Sequence, residues 1–550
     1  MKGFFRGKMW WAVLSGIASV SAWAGNAVVS TCDQAHLQTA LIAANSPPGG
    51  TITFTCSGTI TLTSNLSPYY VDNNVAMVVD GGNNIVLDGA NTYAFWQVYG
   101  AGNLTLKRLT LQHAGVTGSP AHPIQSFGTL KLDTVTVKTN SPATSVIDAE
   151  GGDVTVVNST FSGNTPTASV IFNMANLAVQ GSTFSGNSIS GGNGAAIRND
   201  GGTVQITGST FSGNTVGGSG QGGAISNESG GALYVSNSTF TTNSALDGGA
   251  IENNNTAPGT VAHVAHSTFT SNTAAYGAAI ENFGGGTLNA NYDTFTTNQS
   301  SNIGGAIWNE GGVVNANWST FTGNTAATMG GAIECDNDSL YVDNSTFSGN
   351  KSNQGTSSFS NHGGAIFSGC YTVVSQSTFY NNAALNSEGG AIYMAGTQYA
   401  GIFNSTFASN QAQEGAAFSS TNTFGSGVQL SQSILSGNTH GHSCSGGPFA
   451  SSGYNLADDT ACGGDLSDVT DKPNVVLTMG ALANNGGPTK TLLPATGNPA
   501  INYVPKAQCI YSTDQRGALR PTPAGGSCDS GAVEVGGIID DIFKDGFELP

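Results

Sequence analysis

The chain has 550 residues, of which 78 are glycine and 9% are charged, and its formal net charge is −18. So few charges exclude a fold held by salt bridges, and the acidic balance excludes nucleic acid and anionic lipid as partners. No stretch of the expected mature chain approaches the ~20 consecutive apolar residues of a membrane-spanning helix, so no integral span is expected.

Residues 1–24 read as a secretory signal. Lys2, Arg6 and Lys8 begin it, Met9 to Val20 form its apolar middle, and Ala22-Trp23-Ala24 is the cleavage site. This predicts Sec-type export to the cell surface, the outer membrane or the medium. Removing the +3 of the signal leaves a net charge of −21. Eight cysteines in an exported chain point to disulfides. Proximity favours Cys32–Cys56, Cys335–Cys370, Cys444–Cys462 and Cys509–Cys528. No Cys-x-x-Cys occurs, and no zinc site or other cofactor is expected.

Residues 25–115 read as an N-terminal cap and the first coils. Residues 34–45 have helical spacing, with Leu37, Leu41 and Ile42 on one face. Such a helix would cover an otherwise exposed strand edge. Strands are predicted at Thr51–Phe54, Thr59–Leu62, Met77–Val79, Ile85–Leu87, Leu104–Leu106 and Leu109–Leu111.

Residues 116–440 repeat one phrase. Phe recurs at 161, 184, 211, 240, 269, 295, 321, 347, 379 and 407, a step of 23 to 32 residues. Gly-Gly-Ala-Ile recurs in register at 222–225, 248–251, 304–307, 330–333, 363–366 and 389–392. A fixed period of this size marks a solenoid. Apolar residues five and seven places before each Phe (Ile206 and Val204 before Phe211) give the period of two of a half-buried strand. The unit is too short for a helix and suits two or three strands. Stacking equivalent strands in parallel predicts an all-β parallel β-helix of about fourteen coils. The Phe residues and the Asn three places after each would form two stacked columns, both of them scaffold.

The run from Cys32 through Thr51-Ile-Thr-Phe54 and Thr59-Ile-Thr-Leu62 resembles the start of bacterial surface β-helix proteins. The Gly-Gly-Ala-Ile and Phe-x-x-Asn phrases are similar to the repeats of the polymorphic outer membrane proteins. That resemblance implies a right-handed single-stranded β-helix, pectate-lyase-like, displayed at the surface, with adhesive roles in some members. The family's terminal membrane barrel has no counterpart in the alternation of the ~110 residues after Asn438. Self-transport is therefore not expected.

Residues 441–535 read as a small C-terminal cap. The motifs Asn484-Asn-Gly-Gly-Pro-Thr489, Leu492-Leu-Pro494, Asn498-Pro-Ala-Ile501, Asp514-Gln-Arg-Gly517, Arg520-Pro521 and Cys528-Asp-Ser-Gly-Ala-Val-Glu534 resemble the "choice-of-anchor Q" domain. That resemblance implies capping and surface association. Asp514 and Arg516 are expected as a buried ion pair. The tail at 536–550, with Ile542-Phe-Lys-Asp-Gly-Phe-Glu548, resembles a sorting tag.

Two columns carry candidate chemistry. The residue after each Ile is expected to point outward, which gathers Arg198, Asp200, Glu228, Glu252 and Glu281 over four coils. Carboxylates to hold Ca²⁺ and an Arg to abstract a proton would suit a polysaccharide lyase or glycoside hydrolase. A solvated face with one exposed ion pair explains the same residues. His266, Tyr292 and Trp318, three before successive Phe residues, form either a platform for sugar rings or a corner stack. The sequence thus predicts a non-enzymatic surface or secreted β-helix that engages polysaccharide or a host or neighbouring cell. A polysaccharide-cleaving enzyme and a structural surface-layer component are the alternatives.

Overall fold

A computed structural model describes residues 25–67, 69–115, 122–254, 259–352, 362–396, 398–421, 427–460 and 466–539. The expected signal, Cys462 with its pairing to Cys444, and the tail motif from Ile542 lie outside them.

One coil explains the rest. Ile251–Asn254 is its leading strand, Val261–Ala265 its middle strand, Thr268–Thr270 its Phe strand and Thr273–Tyr276 a closing strand. Each pairs in parallel with its equivalent one coil on: Ile251 with Ile280, Val264 with Ala290, Phe269 with Phe295, Thr273 with Gln299. The first three kinds of strand join one 44-stranded sheet, while closing strands form separate sheets of two and six. The result is an all-β parallel solenoid of about 16 turns. That slightly exceeds the predicted count of about fourteen, and the early segment forms coils as expected, with Ala27–Val29 paired with Ile52–Phe54.

The core is built from stacked identical side chains. Phe211, Phe240 and Phe269 are fully buried and lie in one line, their centroids 4.9 and 4.8 Å apart with nearly parallel rings. Coil spacing in a parallel sheet, about 4.8 Å, imposes this separation. The Asn ladder beside them is also present, running from Asn140 to Asn438. Asn272 shows its economy. Its Oδ1 accepts from the backbone N–H and Nδ2 of Asn243, and its Nδ2 donates to the Phe240 carbonyl and to Asn298. A second ladder was not foreseen: Asn173, Asn199, Asn227, Asn253, Asn282 and Asn309 link amide to amide and end on Cys335 Sγ.

The Gly-Gly of each phrase follows from crowding. Gly248 has φ +57, and a Cβ there would lie 2.3 Å from the Ile251 carbonyl; at Gly249 it would lie 2.2 Å from the Ala278 carbonyl. Only glycine permits both the left-handed turn and the close approach.

The N-terminal helix is present at Gln34–Ala44, capped by Asp33, whose carboxylate accepts from the His36 N–H at 2.9 Å. Leu37, Ala40, Leu41 and Ala44 are its buried residues. Ile42, expected on that face, is instead 61% exposed, because it lies about 100° round from Leu41. The expected disulfides Cys32–Cys56, Cys335–Cys370 and Cys509–Cys528 form, with Cα atoms 5.6, 5.8 and 6.0 Å apart. No helix among the described residues is long and apolar enough to cross a membrane.

The C-terminal segment does more than close the last coil. It runs back along the flank of the Phe strands. Thr489 Oγ1 donates to the Asn344 carbonyl, Gln515 bonds Thr346 and Thr378, the Ala532 N–H donates to Thr406 Oγ1, and Ser530 Oγ donates to the Tyr454 carbonyl. Within it Asp514 and Arg516 form the expected buried ion pair at 2.7 Å.

Candidate functional site

Two faces of the solenoid carry the predicted residues. The first is the column after each Ile, which the strand register stacks as Phe172, Arg198, Ser226, Glu252, Glu281, Trp308, Glu334, Phe367 and Tyr393. These side chains leave the coil outward, as expected, yet several are walled in. Glu252, Glu281 and Glu334 are 0%, 1% and 2% exposed. The reading of this face as solvated is therefore corrected.

The wall is a second column, the residue before each Gly-Gly phrase. Its members face the first column with an offset of one coil. Tyr276 packs on Trp308 at 4.8 Å, His362 stacks on Tyr393 at 4.1 Å, and Glu388 accepts from Ser419 Oγ at 2.7 Å. Asp247 belongs to this wall and accepts from Gln221 Nε2 at 3.2 Å. Because each Gly pair lets the backbone approach closely, the two columns meet as a seam.

The structure brings Arg198, Asp200 and Glu228 together. Arg198 Nε donates to Glu228, its Nη2 lies 3.7 Å from Asp200, and its guanidinium sits over the Phe172 ring at 5.4 Å. Glu252 and Glu281 follow on later rungs. Burial, partly offset by hydrogen bonds from Asn254 and Ser226, both at 2.7 Å, pushes Glu252 up to about 7. Glu281 is raised well above the carboxylate range by burial, then by Glu252, Asp247 and Glu310. Glu334 is raised by burial, then by Asp336 and Glu310. Sequence reasoning missed Asp247, Glu310 and Glu334 as members of this set. Strand register brings in Glu310 and Glu334, and the offset between coils, which no single repeat encodes, brings in Asp247. Among the described residues no group of three His, Cys, Asp or Glu is arranged to hold a metal ion.

The second face is the corner between middle and Phe strands. His266, Tyr292 and Trp318 stack there, with centroids 4.9 and 5.9 Å apart and rings nearly parallel. All three are half-exposed. Their backbones are left-handed, with φ 51, 59 and 52. Equivalent corners hold Asn158, Gly181, Gly208, Asn237, Asn344 and Asn404, and also Thr134, Gln376 and Gln432, all at positive φ. Glycine and asparagine suit that conformation; bulky aromatic residues do not. Beside this row lies an outward set of amides. Asn289 Nδ2 lies 3.1 Å from His263 Nδ1, Asn315 Nδ2 donates to Asn289 at 3.0 Å, and Asn317 Nδ2 donates to Asn291 at 3.1 Å. The His263 ring also stacks on Tyr234 at 5.1 Å.

Two stretches of the solenoid match a described repeat. The model of the Chlamydia polymorphic membrane protein repeat matches residues 319–336 and 376–395, each running through a Phe strand or a Gly-Gly-Ala-Ile phrase. The chain is thus a parallel β-solenoid with repeats of that type in two places. No curated protein matches it. Among solved structures, it is similar to PfbA, a surface adhesin of Streptococcus pneumoniae, with 10% identity over 84% of this chain and 95% of that one. The TM-score of 0.22 is too low for that likeness to bear on function.

Proposed function

We propose that this chain is an exported surface β-helix that holds a neutral glycan along the corner row His266–Tyr292–Trp318, without cleaving it. One observation carries the reading: three consecutive coils place aromatic rings where the backbone favours glycine or asparagine. A residue held at such a position costs of order 1–3 kcal/mol, and that strain is characteristic of functional sites. The adjacent amides support the ligand class. Asn289 and Asn291 each accept one bond from the next rung, and a carboxamide has two donors and two lone pairs in all. Donors and acceptors side by side, next to flat apolar rings, match the hydroxyls and ring faces of an uncharged sugar. The matched repeats and the C-terminal resemblance support placement at the cell surface.

Binding of the full chain to neutral oligosaccharides and to polygalacturonate, by calorimetry, tests this. The neutral glycans should bind and the uronate should not. Trp318→Ala and Tyr292→Gly should each weaken binding about tenfold, as expected for the loss of ~1–1.5 kcal/mol of ring stacking. The melting temperature of Tyr292→Gly should change little, since relief of the strained corner offsets the lost stack. New reducing ends or unsaturated uronides would replace this reading with the enzyme at the Arg198 face. Absence of any glycan binding would leave the surface-layer role.

A further inference from the structure

The seam between the two facing columns serves no role in the glycan reading, and its acids need an explanation of their own. Four acceptor atoms are buried there without any hydrogen-bond partner: Asp247 Oδ1, Asn254 Oδ1, Glu281 Oε2 and Glu334 Oε2. The Trp308 indole N–H is directed toward Glu334 without completing a hydrogen bond. An ionised carboxylate is acceptor-only at both oxygens, whereas a protonated one brings its own donor. A buried charge without donors or a counter-ion is not tolerated. Among the described residues, no Lys, Arg or His forms an ion pair with Asp247, Glu252, Glu281 or Glu334.

We propose that the seam is a proton-operated latch, closed while Asp247, Glu252, Glu281 and Glu334 hold their protons and loosened when they lose them. Every titratable neighbour adds to the effect or stands apart from it. Glu310 and Asp336 lie on the adjoining column and add negative charge. Glu228 contributes too, although Arg198, which also pairs with Asp200, holds it at one end. Tyr276 is packed against Trp308, and His362, Tyr393 and Glu388 close the far end. The nearest cation, Arg198, is thus already engaged two rungs from Glu252.

The direction follows from linkage. Groups that hold their protons more tightly folded than unfolded lose stability for the fold as pH rises. For Glu252 the window runs from its ordinary 4.5 to about 7; Glu281 and Glu334 extend it upward. Acidic surroundings therefore keep the seam shut, and neutral to alkaline ones release it while the Phe and Asn columns stay closed.

Hydrogen exchange of the full chain at pH 5 and pH 8, corrected for intrinsic exchange, tests the latch. Opening in the leading strands Ile251–Asn254, Ile280–Phe283 and Ile333–Asp343 should rise about tenfold or more at the higher pH. Phe strands such as Thr239–Thr241 and Thr268–Thr270 should not change. Glu281→Gln with Glu334→Gln keeps the shape while removing two of the four ionisations, and should cut the pH dependence to what Glu252 and Asp247 supply. Should that pair fail to fold, Glu252→Gln alone should reduce it. Equal opening at both pH values, or the same rise in the glutamine variants, overturns the proposal.

Discussion

Replacing Asn272 by alanine is expected to cost about 3–5 kcal/mol, among the largest losses any single side chain here can produce. The substitution removes little volume, so a cavity is not the cause. It strands the backbone N–H of Asn243 without an acceptor and takes one of the two acceptors from Asn243 Nδ2, which keeps the Phe211 carbonyl. It also removes the side-chain donor from the Phe240 carbonyl, while Asn298 Oδ1 keeps only the backbone N–H of residue 272. Each orphaned buried group costs about 1–3 kcal/mol, partly recovered by relaxation. A solenoid contacts only its neighbours, so the damage should be local. Hydrogen exchange should show lost protection in the coils around Asn243 and Asn298, with the coils beyond Asn382 unaffected. Uniform loss along the rod would contradict the nearest-neighbour account. So would a drop below about 1 kcal/mol on denaturant unfolding.

The second large effect runs the other way. Asp293→Ser is expected to stabilise the chain, by more at pH 8 than at pH 5. Asp293 occupies a column otherwise made of serines, including Ser238, Ser267, Ser319 and Ser345. Each serine hydroxyl donates to the carbonyl two residues back and accepts a backbone N–H from the previous coil: Ser267 Oγ, for example, donates to Ala265 and accepts from Ser238. Asp293 Oδ1 does accept from the Ser267 N–H, at 2.7 Å, but Oδ2 has no partner and the side chain is 1% exposed. Burial raises its carboxyl well above 3.8, with bonds from the backbone at Ser267 and Asn291 offsetting part of the rise. A raised folded value means that stability is lost as pH climbs above 3.8. Serine removes that penalty and restores the donor, a gain of about 1–3 kcal/mol. The check is a melting curve at each pH; a serine variant that melts lower at pH 8 would show that the carboxyl has found a role.

Much of the solenoid was legible because its rules act within one period. Phe211, Phe240 and Phe269 repeat in register, so a single stacking assumption orders the core. The Asn closing each phrase was legible for the same reason. The Ile-x-Asn ladder from Asn173 to Asn309 is equally present in the letters, but the variable residue between Ile and Asn masks it. What the letters do not carry is contact between different columns. Glu252 and Glu281 sit at outward parity, and only the one-coil offset of the facing residues encloses them. Thr346, Thr378 and Thr406 are buried beneath the C-terminal segment, yet they occupy the same Ser-Thr-Phe setting as Thr210 and Thr239, which are not. Identical words therefore have different surroundings, set by a segment more than a hundred residues away.

That segment also changes how the rod would bear load. A bare stack of coils pulled from its end peels one turn at a time, each rupture involving one rung's bonds. Here the terminal strap is fastened to the rungs of Thr346, Thr378, Thr406 and Tyr454 together. Tension entering through the C-terminus is shared among them and meets resistance in shear, so the tethered third should be the last part of the molecule to unravel.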